Sequence, residues 1–416
     1  MVCMSMETKR SLPIPEFIYL ERYRNEGTRT YSSHAAITEA ADAYRPDSPK
    51  ERFELHLFEV PREQMLVYTA KPPAELAGSY LDGDKAMFAI HPQVLATCSD
   101  EAYVQRTLRL SSGRTTMAVT PSSSTRTLYA PDQQPPHALK VHFPFKISRY
   151  GRRMRHEVLE QAINVSRELE AGIGLLDERF AFLREVIAVS HPNLDPDSPR
   201  GEHWGYLVRD MRPFPAGDGN ACLIPGFALY GRDFFDPGIP LLLYDLIGDG
   251  DPLAVVLESI MLPIMRHWVD CFRQFGYLME PHGQNVIFEV GTNGTISRII
   301  HRDLSVGIDM RRRRDLGLSD RQLNHYNRME HDKFHSIVYD RFMGGHFFDR
   351  LVQACREKYD GLSKEDFTVP CRDEFARIFP EHEKYFPKTV WYFSEERDQF
   401  NKPLYRDTGV APQWRP

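Results

Sequence analysis

The run Glu280-Pro-His-Gly-Gln-Asn285, Val286-Ile-Phe-Glu-Val290, Gly291-Thr-Asn-Gly-Thr295, Ile296-Ser-Arg-Ile-Ile300 and His301-Arg-Asp303 reads as a loop feeding a β-hairpin. Val286, Ile287, Phe288 and Val290 are strand formers, and so are Ile296, Ile299 and Ile300. Asn293-Gly294 between them is a strong hairpin signal, because both residues accept positive φ. A two-residue loop there sets Thr292 against Thr295. Counting back along the ladder, Asn285 falls opposite Arg302 and Gln284 opposite Asp303. Glu280, His282, Asn285 and Asp303 then meet at the open end of the hairpin. Two carboxylates and an amide oxygen in one place suit a hard cation such as Mg²⁺ holding phosphates. An ordinary hairpin with polar ends is the other reading of the same spacing.

Upstream, Thr120-Pro-Ser-Ser-Ser-Thr-Arg-Thr127 is too polar for core and too rich in hydroxyls for a plain strand. Hydroxyls beside a guanidinium make a cradle for phosphate oxygens, the Arg forking onto two of them. A Ser-rich surface loop is the alternative. Lys140-Val-His-Phe-Pro-Phe-Lys146 alternates like a strand, which would put Lys140, His142 and Lys146 on one face, with Arg149, Arg152, Arg153 and Arg155 close behind. Cations gathered beside a hydroxyl loop point to a polyanionic ligand.

Elsewhere the chain reads as mixed α and β structure. Phe53-Glu-Leu-His-Leu-Phe-Glu-Val60 alternates like a half-buried strand, and 80–91 holds another. The triplet His91-Pro-Gln93 is a candidate substrate loop or a simple proline turn. Residues 157–189 read as helix-rich, broken near Gly172-Ile-Gly174. Residues 252–278 read as a long amphipathic helix bent at Pro263, and 325–358 as helical. Arg311-Arg-Arg-Arg314 faces either an anion or solvent, and the tail from 386 is aromatic and loop-like.

The 416 residues suffice for two or three packed units. A formal charge of −6 gives no reason to expect nucleic acid or an anionic membrane. Cys3, Cys98, Cys222, Cys271, Cys355 and Cys371 form no CxxC pair, so reduced thiols in the cytoplasm are expected. Residues near the start lack the apolar core of a signal peptide. No run approaches about 18 uninterrupted apolar residues, so no membrane span is expected.

Taken together, the Ser-x-Arg-Thr at Ser124, Arg126 and Thr127, Lys140 followed by Arg152, the Glu-x-His-x-Gln-Asn from Glu280 to Asn285, and Arg302-Asp303 resemble the NRPS-independent siderophore synthetases, the aerobactin-synthetase-like IucA/IucC superfamily. His91-Pro-Gln93 is similar to a further family triplet, and Asn401-Lys-Pro-Leu404 to a C-terminal Asn-Pro-Leu. The resemblance covers roughly residues 85–405. It implies an α+β fold likened to a cupped hand, with a β-rich fingers region, a helical palm and here a reduced thumb. The corresponding segments would be 1–118 (thumb-like), 119–245 (fingers-like, phosphate-binding) and 246–416 (palm-like, with the hairpin).

By the same resemblance, the chain would be an ATP-dependent ligase. It would adenylate a carboxylic acid, citrate by default, release pyrophosphate, and pass the acyl group to an amine or hydroxyl in siderophore or related biosynthesis. Ser124, Arg126, Thr127, Lys140, Arg152, His282, Gln284 and Asn285 would bind ATP, with His282, Arg152 and Lys140 acting catalytically. Glu280, Asn285 and Asp303 would hold Mg²⁺, and His91 would contact substrate. A homodimer fits the family. Typical members are longer, mostly at the N-terminus, and no Gly-His-Pro motif is found here. Two other classes stay open. One is a small-molecule kinase-like phosphotransferase, because His301-Arg-Asp-Leu304 begins like a kinase catalytic loop although Ile308 stands where Asn is needed. The other is a non-catalytic nucleotide- or carboxylate-binding protein.

Overall fold

The computed structural model describes residues 14–25, 38–147, 150–198, 200–217, 219, 221–399 and 403–416. Arg149, Asn401 and Lys402 lie outside the described residues.

One large sheet organises the molecule. Its strands run in the order Cys222–Pro225, Val286–Val290, Ile296–His301, Phe180–Ser190, Gly205–Phe214, His137–Val141, Thr127–Ala130, Gly113–Pro121, Phe53–Pro61, Lys85–Ile90 and Leu81–Asp82, with Leu66–Thr69 also pairing to Phe180–Ser190. It therefore passes through all three sequence segments, and Gly113–Pro121 itself crosses the 118/119 limit. Helices and π-helical turns of the C-terminal part of the chain pack on one end around a core that includes Trp268, Phe272, Tyr339, Phe347 and Phe375. The fold is α+β, as the sequence implies.

The 286–301 hairpin keeps the expected register by a different route. Val286 pairs with His301 and Glu289 with Arg298, and the Arg302 amide donates to the Asn285 carbonyl at 3.0 Å. Yet the loop has three residues, 292–294. The Gly291 amide bonds the Thr295 carbonyl, and Gly294 takes φ +78°, a turn followed by a left-handed residue. Ser297 is then an extra residue between the pairs Val290/Ile296 and Glu289/Arg298. This bulge restores the register that the longer loop had shifted.

Three sequence expectations are corrected. The second half of 157–189 is not helix. The helix is His156–Ala171, and Phe180–Ser190 is a strand near the middle of the sheet. Ten of its eleven residues are buried, so both faces are apolar and the alternation that marks a strand is missing. The 140–146 run is not one strand either. It divides into His137–Val141 and Phe143–Ile147, which belong to different sheets. Finally, the tail carries a hairpin, Trp391–Arg397 with Pro403–Asp407.

The long helix runs from Pro252 with a π turn at Leu257–Met261 and continues as Leu262–Phe275, where Gly276 at φ +69° ends it. Pro263 directly follows that π turn, so the irregular ladder and the residue without an amide fall together inside the helix. Among the described residues, Pro252–Phe275 is the one helix long and apolar enough to cross a membrane, and more than half of its most apolar window is buried inside the protein. Ile260, Ile264, Trp268 and Phe272 stand in the core.

Candidate functional site

A cleft lies where the 122–127 loop, the strand carrying Lys140 and the open end of the hairpin converge. Ser124, Arg126, Thr127, Lys140, Arg152, Glu280, His282, Gln284, Asn285 and Asp303 all line it. Residues from distant parts of the sequence are thus brought together as expected.

The hydroxyl loop is pre-shaped. Its ends are tied by the Ser122 amide donating to the Thr127 carbonyl at 2.8 Å, and the Thr125 amide donates to the Ser122 carbonyl at 2.9 Å. Ser124 Oγ donates to Thr127 Oγ1 at 3.0 Å and lies 2.8 Å from Ser122 Oγ. Thr125 takes φ +68°, an unusual conformation for a β-branched residue, of the sort that concentrates at functional sites. Arg126 is braced against the Arg152 carbonyl at 3.2 Å and Met154 Sδ at 2.8 Å. Burial, with Arg152 beside it, pulls the guanidinium down to about 10. An added anion would relieve that cost.

Opposite stand the acids. The strand ends at His301, and Asp303 leaves its line with φ +72°. Lys140 Nζ donates to Asp303 Oδ1 at 2.5 Å. Burial would raise the Asp303 carboxyl, but Lys140, Arg209 and Arg126 outweigh it and hold it far below the usual range. Glu280 goes the other way: desolvation, with the Asp303 charge added, pushes it up to about 8. Desolvation lowers His282 to about 4, so its ring is neutral at pH 7. Asn285 Nδ2 donates to the Glu280 carbonyl at 3.2 Å, which leaves the amide oxygen available as a donor atom. The Glu280 and Asp303 carboxylates and the Asn285 amide oxygen line one cleft, and hard-oxygen donors of this kind fit Mg²⁺. The two walls touch directly where Gln284 Nε2 donates to Ser123 Oγ at 3.1 Å.

Other candidates lie elsewhere. His91 is fully buried among Tyr44, Phe53 and Phe143, and its Nδ1 caps the helix Pro92–Thr97 by accepting from the Gln93 amide at 3.1 Å. It is not brought to the cleft, so its reading as a substrate contact is not supported. His142 is buried and stacks on Trp204, and Lys146 is exposed beyond the strand break, so of the three only Lys140 faces the cleft. Arg153 and Arg155 lie over Trp204. Within 311–314, Arg311 pairs with Asp309, Arg313 with Glu168 and Arg314 with Glu330, and Arg312 bonds the Arg273 carbonyl. His156, Glu157 and His203 also group together. Arg200 on Glu157 and Arg155 nearby make that surrounding positive, which suits an ion-paired pin rather than a cation site.

Sequence reading missed Glu21 and Arg209, which also line the cleft. Arg209 Nη2 bonds the buried Glu185 at 2.6 Å. The signal for that pair was a charge on each of two strands directly opposite one another, Glu185 and Arg209. It becomes visible only once the 180–190 run is recognised as a strand. Glu21 had no sequence signal.

Residues 34–230 match the model of the IucA / IucC family. The petrobactin biosynthesis protein AsbB of Bacillus anthracis str. Sterne superposes with a TM-score of 0.73 at 15% identity, covering 98% of this chain and 75% of that one. ATP-bound aerobactin synthetase IucA from a hypervirulent pathotype of Klebsiella pneumoniae gives 0.65 at 14% identity, covering 87% and 71%. Aerobactin synthetase IucC from the same source gives 0.63 at 14%, covering 83% and 66%. These are likenesses of fold. No curated protein sequence gives a significant match. The matched span ends before the hairpin, so it does not include the acid-bearing wall of the cleft.

Proposed function

We propose that this chain is an IucA/IucC-like, ATP-dependent ligase that activates a carboxylic acid as its acyl-adenylate and transfers the acyl group to an amine or hydroxyl, in siderophore or related biosynthesis. The observation that carries this reading is the meeting of three cations, Arg126, Lys140 and Arg152, with Glu280, Asn285 and Asp303 in one cleft. The aerobactin synthetase IucA that shares this fold holds ATP, and citrate is the default acid.

In the proposed first step, a substrate carboxylate oxygen attacks the α-phosphorus. A new O–P bond forms, the α–β bridging bond breaks, and pyrophosphate departs with that electron pair. Arg126 and Arg152 neutralise the departing charge in a site poor in water, and Ser124 and Thr127 donate singly to phosphate oxygens. Lys140 would exchange its bond to Asp303 for a shared position between Asp303 and phosphate. His282 is neutral and donates or accepts one hydrogen bond rather than bringing charge, and Gln284 fixes the loop against Ser123. Mg²⁺ held by Glu280, Asn285 and Asp303 would neutralise phosphate charge and orient the chain of phosphates. In the second step the amine or hydroxyl attacks the acyl carbon and AMP leaves. The segments 1–118, 119–245 and 246–416 serve in this reading as thumb-like, fingers-like and palm-like regions.

The test is ATP–pyrophosphate exchange across di- and tricarboxylic and amino acids. Label entering ATP with one class of acid supports the reading. Turnover giving ADP with no AMP would overturn it, and ADP together with a phosphorylated acceptor would make it a phosphotransferase.

A further inference from the structure

The helix Ile14–Tyr23 lies before the span that matches the family model. Its Phe17 and Ile18 pack in one cluster with Tyr129, Ile287 and Ile300, on the strands that carry the cleft's two walls. One turn further along the same face stands Glu21, which lines the cleft with no exposed surface. Glu21 Oε1 accepts from Arg302 Nη2 at 2.5 Å, and Glu21 Oε2 accepts from Ser123 Oγ at 3.1 Å. Ser123 Oγ in turn accepts from Gln284 Nε2 at 3.1 Å, and Arg302 Nε donates to the Gln284 carbonyl at 2.6 Å. These four bonds close a ring through four separate segments: the helix, the hydroxyl loop, the loop before the hairpin, and the hairpin end.

We infer that Glu21 is a positioning residue that couples nucleotide binding to cation binding, an inference that rests on the nucleotide-and-Mg²⁺ reading of the cleft. Both of its oxygens are committed within the protein, so it touches neither phosphate nor metal. It acts through two neighbours. Ser123 sits beside Ser124 in the phosphate loop. Arg302 precedes Asp303, and its guanidinium is tied to Glu21, Tyr129 and the Gln284 carbonyl, so Arg302 is a strut and not a phosphate contact. Ordering either wall by its ligand orders the other through the ring. A ligand on one side then raises affinity on the other by the same factor in both directions.

The experiment uses the full chain without acid or amine, so that no adenylation can occur, and the ATP analogue AMP-PNP, with calorimetry at low and saturating Mg²⁺. The wild type is expected to bind AMP-PNP more tightly when Mg²⁺ is saturating. Glu21→Gln keeps the shape and removes the charge facing Arg302. It is expected to weaken Mg²⁺·AMP-PNP about tenfold or more, the scale of a lost charged hydrogen bond, and to shrink the enhancement by Mg²⁺. The double variant Glu21→Gln with Ser123→Ala should bind no more weakly than Glu21→Gln alone, because both cut one ring. A lower melting temperature with Kd and Mg²⁺ enhancement within about twofold of wild type would show a packing role only and overturn the inference. Additive losses in the double variant would do the same. If Glu21→Gln does not fold, Ser123→Ala alone decides: a reduced Mg²⁺ enhancement supports the ring and an unchanged one overturns it. Should the wild type bind Mg²⁺·AMP-PNP while no acid supports pyrophosphate exchange, the ligase reading falls and the ring is still judged by its variants. Should it bind no nucleotide, both fall.

Discussion

Lys140 and Asp303, 163 positions apart in sequence, meet at 2.5 Å across the cleft. The amine is nearly buried and the carboxyl about one-third exposed. A close pair with one open side is suited to being shared with a third charged group. Asp303→Asn keeps the shape and removes the charge. Activity should fall about a hundredfold or more, on the scale of a lost electrostatic contact to the reacting phosphates. The Mg²⁺ concentration for half-activity should rise. An unchanged Mg²⁺ titration would show that Asp303 is not a ligand.

Arg126 is wedged against the Arg152 carbonyl and Met154, so truncating it to Ala would disturb more than a phosphate contact. Arg126→Lys is the cleaner probe. It keeps a cation but loses the two-pronged fork. Pyrophosphate exchange should drop at least about tenfold, with a melting temperature close to wild type. Equal loss of activity and stability would place Arg126 in the scaffold.

Glu280 stands at about 8, up from an ordinary 4.5. A raised folded value means that its contribution to stability is full below about 4.5 and is lost as pH rises through about 8 in the metal-free protein. Mg²⁺ binding requires the ionised form, so affinity should climb with pH up to about 8 and then level off. Melting temperatures with and without Mg²⁺ should therefore diverge as pH rises from about 6.5 to about 8.5. Glu280→Gln should flatten that divergence. Mg²⁺ affinity independent of pH over this range would remove Glu280 from the cation site.

His91 tests the boundary of the site. It caps a helix and fills a pocket of aromatic rings. His91→Ala should cost about 1–3 kcal/mol of stability through the lost cap and the cavity. The KM values for ATP and for the acid should not move. A raised KM for the acid at unchanged stability would return His91 to the substrate site.

The cleft was legible in the sequence because its groups sit in short motifs whose spacing survives folding. The hairpin register was correct through two deviations that cancel: a third loop residue and an extra Ser297. Neither has a sequence signature that Asn293-Gly294 would not mask. The strand Phe180–Ser190 was hidden because burial on both faces erases the period that distinguishes strand from helix. Glu21 was invisible for a different reason. A lone acid on an N-terminal helix acquires meaning only from Arg302 and Ser123, which tertiary structure alone brings near. The Lys140, His142 and Lys146 face failed because the chain leaves one sheet at His142 and joins another at Phe143.

The continuous sheet also sets how the protein can move. Strand Thr127–Ala130, which leaves the hydroxyl loop, and strand Ile296–His301, which precedes Asp303, are linked by continuous pairing through His137–Val141, Gly205–Phe214 and Phe180–Ser190, with two register shifts between the last two. A hinge between the two walls would have to tear those ladders. In the proposed function, capture of a nucleotide is therefore chiefly a side-chain adjustment, Lys140 moving to share its contact between Asp303 and phosphate, with little relative motion of the two walls. Small-angle scattering should give the same radius of gyration with and without Mg²⁺·AMP-PNP, and the chain should bind its nucleotide like a fixed socket, without a slow closing phase.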